Sequence, residues 1–472
     1  MFSNLDKDLI NKSIILEPGC QIGVNLPVVV FLLKPDPKLV KIIVDLVKDE
    51  NREMKFLTFF CPRCTMMCKS ILEQGKVLNR IKIFELPYEL IPVERDLLTL
   101  DDELSFGDLI LDRSFTALTI VKCSILRLEA LFGRIPSKSA KGPWSCSVLN
   151  ALKKKEAEGQ KEERSEIDEL ILLDRTTDLV TPLLTPMTYE GVIDEFYPIK
   201  LGILKLKEKV IDPDSKNPDK DRSLLLFNKD DIMFEETRNL HFNVAQKLSP
   251  KKYEELKKLC DSRDKAKTLK EMTEYLEKLR SIKPLKLLSL FNSNLNLAVH
   301  LDELVNKQIF KHLLNLEVTV ISRSKPYDTI ITALEKEIPI IEDAERVLRI
   351  LCLLSLTSDG LPKDKYNSLM KMFVAKYGIE ESLRLINLER AGLFKERSQK
   401  LSILSIFGSS SKSQWDKIQE KYNLIVEKIN IEEPNDIAYA YNNYAPLSIR
   451  LIQRYLENHW NDSESKCKVN FS

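Results

Sequence analysis

The stretch ILLDRTTDLVTPLLTPMTYEGVIDEFY, residues 171–197, carries the clearest structural signal in the sequence. An apolar run that is typical of a buried strand ends in Asp-Arg-x-x-Asp, and two Thr-Pro steps follow. Carboxylates after a buried strand often carry catalysis, so Asp174 and Asp178 could bind a metal ion or form an acid–base pair. Glu190 and Asp194 could supply the further oxygen ligands that Mg²⁺ or Ca²⁺ requires. One hypothesis is therefore a metal-dependent hydrolase that uses Asp174 and Asp178.

A structural role accounts for the same residues. Asp174 and Arg175 can cap and pair the turn that leaves the strand, while Thr176 and Thr177 can satisfy amide groups of the loop. None of the four histidines of the chain lies near this turn in the sequence. We therefore expect a structural turn and keep the hydrolase as the alternative.

The second half of the stretch predicts a rigid segment followed by a helix. A residue before proline is biased towards extended backbone, so the threonines before Pro182 and Pro186 are expected to be extended. The next residues place four apolar side chains on one helix face. These are Tyr189, Val192, Ile193 and Phe196.

Length and composition exclude several classes of protein. A chain of 472 residues is long enough for about three domains. The 72 Lys and Arg residues nearly balance 71 Asp and Glu residues, which argues against a nucleic-acid binder. No apolar run approaches the roughly 20 residues that span a bilayer. The N-terminus lacks a secretory pattern, and nine scattered cysteines favour reduced thiols. We expect a cytosolic protein that reaches membranes only through partners.

The chain divides into regions by its hydrophobic period. Strand and helix patterns alternate through residues 1–150, which predicts a parallel sheet covered by helices. A charged run at 153–166 predicts a linker. The strand pattern after it begins a second α/β unit, and this unit together with the linker is assigned to 151–227. From 228 to 430 nearly every segment has a helical period, including WDKIQEKYNLIVEKI. After 430, DIAYAYNNYAPLSIRLIQRYL predicts a strand, a turn and a last helix.

The other candidate sites lack the residues they need. Cys61, Cys64 and Cys68 in CPRCTMMC could form half of a zinc site, but no second Cys or His pair completes it. GRIPSKSAKGPWS, residues 133–145, matches neither glycine-rich phosphate-binding pattern. We expect no metal and no cofactor.

Two segments of the helical region carry apolar residues among dense Lys and Glu. In SPKKYEELKKL and TLKEMTEYLEKL the apolar positions have helical spacing. The ordinary explanation is a bundle helix with one buried face. The functional explanation is a groove that binds partner helices through anchors at i, i+3, i+4 and i+7.

Four segments, in order, resemble the Sec/Munc (SM) family of SNARE-binding proteins. They are residues 171–197, LFGRIPSKSAKGPWS, the pair RVLRILCLLSLTSDGL and YGIEESLRLINLERAGLFK, and EPNDIAYAYNNYAPLSIRLIQ. Within the family the chain is most similar to the branch of the class C vacuolar protein sorting-associated protein thirty-three. The resemblance covers nearly the whole chain, and the last two segments are the most specific.

The resemblance implies a fold and a function. It implies an SM arch of α/β plus all-α type, with domain 1 at 1–150, domain 2 at 151–227 and 431–472, and a helical domain at 228–430 inserted in the second. It implies a non-enzymatic protein that binds Qa and R SNARE helices and promotes vesicle docking and fusion. Its implied setting is the HOPS and CORVET tethering complexes at late endosomes and lysosomes or vacuoles.

The resemblance also implies partner-binding residues. The helical hairpin near residues 243–285 is where the family holds SNAREs, and its candidate anchors here are Tyr253, Leu256, Leu269, Met272 and Leu276. The helix that begins WDKI corresponds to the surface for the class C tethering subunit numbered sixteen. Trp415 and Ile418, one turn apart, are the expected exposed anchors, and the alternative is that both are ordinary core residues. The family sequence continues beyond the position of Ser472, so we expect the second sheet to be incomplete with an exposed edge.

Overall fold

The computed structural model describes residues 28–50, 54–86, 89–156, 165–226, 232–248, 284–397 and 413–458. The chain forms two compact units. The first unit consists of residues 1–103 and 116–133, and the second of 104–115 and 134–472. The predicted limit at residue 150 differs from this division, because it falls inside a helix of the second unit. The three-domain limits otherwise stay predictions.

The first unit is built on the predicted parallel sheet. Its strands β1 (Val28–Leu33), β2 (Lys55–Phe60) and β3 (Ile81–Glu85) pair in the order β1-β2-β3, all parallel. The connections contain α1 (Pro37–Asp49) and α2 (Met66–Gln74). All five elements agree with the alternation of strands and helices and with the parallel sheet predicted for residues 1–150.

Local sequence signals explain why α1 begins and packs as it does. The Asp36 carboxylate accepts the Lys38 amide at 2.7 Å, and Pro37 occupies the first turn, where no amide donor is needed. One apolar face is buried. It consists of Val40, Ile43, Val44 and Val47. A Cβ at Gly75 would lie 2.6 Å from a Val44 methyl group, so glycine at the end of α2 lets the two helices approach.

The rest of the first unit is a short hairpin and a long helix. The hairpin pairs β4 (Ile91–Pro92) with β5 (Leu98–Thr99) in antiparallel fashion. Helix α4 covers Thr116–Phe132. The short helix α3 (Ser105–Ile110) belongs to the second unit.

The second unit contains a parallel strand pair and an antiparallel sheet. Strands β6 and β7 pair in parallel, and α5 packs against both. Further along, β9 pairs with β8 and with β10, both antiparallel. The bounds are β6 Ser137–Lys141, α5 Pro143–Glu156, β7 Glu169–Leu173, α6 Tyr189–Phe196, β8 Ile199–Lys200, β9 Ile203–Lys207, α7 Glu208–Ile211, β10 Asp221–Leu225 and α8 Ile232–Thr237. Residues 242–248 are also helical.

The remaining described residues are mostly helical, as predicted. The helices are α9 Pro284–Val305, α10 Gln308–Ser322, α11 Tyr327–Glu337, α12 Ala344–Thr357, α13 Lys363–Tyr377, α14 Glu381–Arg390, α15 Gln414–Tyr422 and α16 Leu447–Asn458. Most of α12 is buried, so this helix lies within the core. The second unit contains two large hydrophobic cores, one centred on α10 to α15 and one on α6, α9 and the antiparallel sheet, and a smaller cluster of Ala140, Cys146 and Leu149.

Three local predictions were wrong. The WDKI helix was predicted to reach Ile429, but α15 ends at Tyr422, because Asn423 adopts a left-handed backbone that terminates it. The segment Ile437–Tyr441 is a 3₁₀ helix and not a strand, because the Asp436 carboxylate accepts the Ala438 amide at its start. Thr181 lies in a 3₁₀ turn and is not extended.

Candidate functional site

The carboxylate of Asp174, directly after β7, caps helix α5. Its Oδ2 accepts the amide of Trp144 at 2.9 Å, and its Oδ1 accepts the amide of Ser145 at 2.7 Å and the Ser145 hydroxyl at 2.8 Å. These amides belong to the first turn of the helix and would otherwise have no helical partner. A carboxylate there also interacts favourably with the positive end of the helix dipole. Asp174 is 7% exposed, so these bonds replace its contacts with water.

Gly142, directly before α5, makes this cap possible. Its φ is +102°, which is a conformation that side-chain-bearing residues rarely adopt. A Cβ on Gly142 would lie 2.2 Å from Asp174 Oδ2, inside van der Waals contact. The segments LFGRIPSKSAKGPWS and ILLDRTTD therefore form one structural unit.

Asp178 makes an equivalent cap on another helix. Its Oδ2 accepts the Ser448 amide at 2.9 Å, in the first turn of α16, and the Thr181 hydroxyl at 2.7 Å. Its Oδ1 accepts the Thr181 amide at 3.1 Å. Asp178 is 2% exposed. The Asp-Arg-x-x-Asp turn thus holds the first turns of α5 and α16.

The four carboxylates proposed as metal ligands are not brought together. Asp174 and Asp178 are occupied by the amides and hydroxyls above. Glu190 forms an ion pair with Arg238 at 2.7 Å, and Asp194 accepts the Ile199 amide at 2.7 Å. Within the described ranges no group of three or more His, Cys, Asp or Glu side chains could hold a metal ion.

The cysteine motif does not form a reactive site. Cys61 and Cys68 are buried, and the Cys64 amide donates to Glu85. Burial raises the pKa of the Cys64 thiol, and Cys68 and Glu85 raise it further. A thiol with a raised pKa is a poor nucleophile at neutral pH. Cys61, Cys64 and Cys68 are all free cysteines.

The Thr-Pro segment, residues 180–188, and helix α6 pack into the two large cores of the second unit. Val180 and Leu184 join the core centred on α10 to α15. The predicted apolar face of α6 is confirmed in the other core, where Tyr189, Val192 and Ile193 are buried and Phe196 partly so. The Tyr189 ring packs against Phe242. Residues 171–197 therefore join one core to the other.

A protein-family model of the Sec1 family matches residues 4–472.

The chain belongs to the Sec1 family.

Curated relatives of this Sec1-family chain are vacuolar sorting proteins. It is 32% identical to a vacuolar protein-sorting-associated protein 33 homolog of Arabidopsis thaliana, covering 93% of this chain and 72% of that one. It is 28% identical to vacuolar protein sorting-associated protein 33A of Rattus norvegicus, covering 93% and 74%.

Solved structures of SM proteins share its fold. The SM protein Vps45 in complex with the Qa SNARE Tlg2 gives a TM-score of 0.57 at 16% identity, over 92% of this chain and 75% of that chain. The Unc18–syntaxin 1 complex from Monosiga brevicollis gives a TM-score of 0.58 at 16% identity, over 93% and 76%. The predicted fold class is confirmed.

Membership of this family decides between the two functional hypotheses. Sec1-family proteins are non-enzymatic trafficking regulators, so the chain is not an enzyme, and nothing supports the metal-dependent hydrolase. Among the described helices, none combines the length and apolar character needed to cross a membrane.

The predicted SNARE-binding residues lie outside the described residues. Tyr253, Leu256, Leu269, Met272 and Leu276 all fall within 249–283. The described residues on either side are well anchored. Phe242 and Ala245 are buried in the same core as Leu297 and Leu301 of α9. The Gln246 side-chain amide also donates to the Ala298 carbonyl at 2.6 Å.

The expectation that Trp415 is an exposed anchor is wrong. Trp415 is 5% exposed, and its indole N–H donates to the Ile321 carbonyl at 2.8 Å. Its ring stacks against Tyr444 at a centroid distance of 6.1 Å. Ser413 and Asp416 form a capping box that fixes the first turn of α15 with Trp415 facing the core. Ile418 is half-buried and packs on the same core.

An exposed apolar stripe, not predicted from the sequence, runs from the turn before α14 along that helix. Ile379, Leu383 and Ile386 are 74%, 62% and 52% exposed, at i, i+4 and i+7. Leu385, on the opposite side, is 1% exposed and packs in the core. The apolar spacing was visible in the sequence, but periodicity alone does not say which of two apolar faces is buried.

Proposed function

We propose that this Sec1-family chain binds SNARE helices of the Qa and R types and promotes vesicle docking and fusion at late endosomes and lysosomes or vacuoles. The observation that carries the proposal is its 32% identity to a vacuolar protein-sorting-associated protein 33 homolog over 93% of the chain. The fold shared with an SM protein solved in complex with a Qa SNARE supports the same activity.

SNARE binding is proposed to occur through the hairpin near residues 243–285, within a helical domain at 228–430. The candidate anchors are Tyr253, Leu256, Leu269, Met272 and Leu276. The support is their helical spacing and the firm packing of the flanking residues 242–248 against α9.

The proposed setting is a HOPS or CORVET tethering complex, entered through the class C subunit numbered sixteen. The proposed contact is the surface of α15, with Ile418 at its edge. In this proposal Trp415 does not contact the partner. It lies on the core side of α15 and holds the helix in place through its hydrogen bond to the Ile321 carbonyl. The chain would then be cytoplasmic and peripheral on these membranes, held there by its partners.

A pull-down with SNARE-domain peptides tests the SNARE proposal. The full chain is expected to retain endosomal Qa and R peptides, and Leu269→Asp together with Met272→Asp is expected to abolish retention. Ile340→Asp is a matched control, because Ile340 is 65% exposed on the turn between α11 and α12. Absence of binding to any endosomal SNARE, alone or with the tethering subunits, would refute the proposal.

Co-expression with the tethering subunit tests the second contact. Ile418→Glu is expected to weaken co-purification, while SNARE binding is retained. Leu383→Glu examines the exposed stripe of α14 in the same assay. A loss from Leu383→Glu alone would show that the contact lies on α14 and that the assignment to α15 is wrong.

A further inference from the structure

Four charged side chains form a buried cluster where residues 171–197 meet the helices of the second unit. Glu195 comes from α6, Glu317 from α10, and Arg346 and Arg349 from α12. The side chains of Glu195, Arg346 and Arg349 are 7%, 14% and 17% exposed, and Glu317 is 4% exposed. Buried charges are normally compensated by direct partners, so the bonding within the cluster decides its behaviour.

Glu195 receives both arginines. Arg349 donates from Nη1 to Glu195 Oε2 at 2.9 Å and from Nη2 to Oε1, and Arg346 Nη2 lies 3.1 Å from Oε1. The Arg346 guanidinium also lies over the rings of Phe196 and Phe310, at 5.2 and 4.9 Å. Asp343 accepts a weaker contact from Arg346 at 3.4 Å, on the outer side. Glu195 is thus fully compensated.

Glu317 is not compensated in this way. Its hydrogen bonds come from Thr185 of the Thr-Pro segment, whose amide donates to Oε2 and whose hydroxyl donates to Oε1, both at 2.9 Å. Arg349 is close enough to act on it electrostatically, but both terminal nitrogens of Arg349 are used by Glu195. The buried Nε–H of Arg349 has no hydrogen-bond partner. Such an unpaired donor is rare in native proteins and calls for an explanation.

The surroundings make Glu317 a weak acid. Burial, with a smaller contribution from Glu195, raises the pKa of Glu317 to about 7, against the opposing effects of the Thr185 hydrogen bonds and the Arg349 charge. Glu345, also on α12, acts electrostatically on Arg349. A protonated Glu317 can donate to the Thr185 hydroxyl from one oxygen while the other still accepts the Thr185 amide, so protonation removes the buried charge and keeps both hydrogen bonds.

We propose that Glu317 is a proton-controlled latch on the Thr185 segment. The protonated carboxyl holds this segment on α10. The ionised carboxylate has no bond to Arg349, because Glu195 occupies that arginine, and it releases the segment. In the ionised state the carboxylate is a buried charge without a cation bonded to it, so local opening that hydrates Glu317 becomes more favourable. The proton lost from Glu317 goes to solvent. The attachment of residues 185–196 to the helical core therefore depends on pH below and around neutrality.

Hydrogen exchange of the full chain tests the latch. For peptides covering residues 185–196, the opening equilibrium, corrected for intrinsic exchange, is expected to rise up to about tenfold per pH unit between pH 5 and 7 and then to level off. Glu317→Gln cannot ionise, so its profile is expected to be flat. Glu342→Gln is the matched control and keeps the wild-type profile, because Glu342 is exposed.

A second variant keeps the test decisive if Glu317→Gln does not fold. Glu195→Gln leaves Arg349 available to bond Glu317, so the pH at which the profile levels off is expected to fall. A flat wild-type profile, a slope that persists in Glu317→Gln, or an unchanged levelling pH in Glu195→Gln would each overturn the proposal.

Discussion

Replacing Gly142 by alanine should destabilise α5 without touching any partner-binding surface. The new Cβ would lie 2.2 Å from Asp174 Oδ2, so the carboxylate must move away from the Trp144 and Ser145 amides. Loss of a helix cap costs about 1–2 kcal/mol. The positive φ of +102° adds strain of about 1–2 kcal/mol for a residue that carries a side chain. Together the two effects amount to about 3 kcal/mol.

Hydrogen exchange of peptides from α5 measures this loss of helix stability directly. A loss of about 3 kcal/mol corresponds to an increase of about 150-fold in the opening equilibrium of the helix. Two other glycines separate the causes. Gly107 has open space around it and no positive φ, so Gly107→Ala should be neutral or slightly stabilising. Gly392 has a φ of +74° and open space, so Gly392→Ala should show the backbone strain alone.

The comparison among the three variants can refute the reasoning. If Gly142→Ala changes α5 no more than Gly392→Ala changes its own surroundings, the contact with Asp174 contributes nothing and the cap is not the reason for glycine. If Gly142→Ala behaves like Gly107→Ala, neither strain nor cap is involved.

Three further predictions concern Asp178, Trp415 and Glu317. Asp178→Ala removes the acceptor for Ser448 and should lower the free energy of unfolding by about 1–2 kcal/mol, visible as a lower midpoint in urea denaturation. Trp415→Ala should cost about 3–5 kcal/mol, because it empties a core site and leaves the Ile321 carbonyl without its donor; a stable variant that loses only partner binding would contradict its placement in the core. The pKa of Glu317 is raised in the fold from an ordinary value of 4.5 to about 7, so the contribution of Glu317 to stability is fully present below pH 4.5 and falls by at most about 3 kcal/mol as the pH rises to 7. Glu317→Gln should remove this contribution from a series of thermal melts between pH 5 and 8.

Hydrophobic period was enough to predict the first sheet, and the reason is physical. Strands β1 to β3 and helices α1 and α2 are short, strongly patterned and bounded by Pro, Thr or Gly signals, so local sequence and final packing agree. The segment Ile437–Tyr441 was predicted wrongly because its apolar and small residues alternate as in a strand. A single capping bond from Asp436 selects the 3₁₀ conformation instead, and alternation alone contains no information about it.

The site residues were harder to predict because their roles depend on distant partners. The sequence showed that Asp174 and Asp178 follow a strand, but not that Trp144, Ser145 and Ser448 would supply the donors. Trp415 illustrates the same limit. Helical spacing places it beside Ile418, yet only the tertiary structure determines that this face of α15 packs on the core.

Residues 171–197 do their work by joining parts of the second unit, and this explains why carboxylates stand where catalysis would use them. Asp174 and Asp178 hold two helix N-termini, and Thr185 reaches α10. The Met187 amide donates to Ala440 at 2.7 Å, while its carbonyl accepts the Phe242 amide at 2.7 Å. An active site needs polar groups that remain available for substrate. Here these polar groups form hydrogen bonds with segments that are remote in sequence. Substitutions in this stretch should therefore lower the amount of folded protein before they alter which partner is bound. Among the groups that contact this stretch, Glu317 can still gain or lose a proton, and its protonation state determines how firmly the segment is attached.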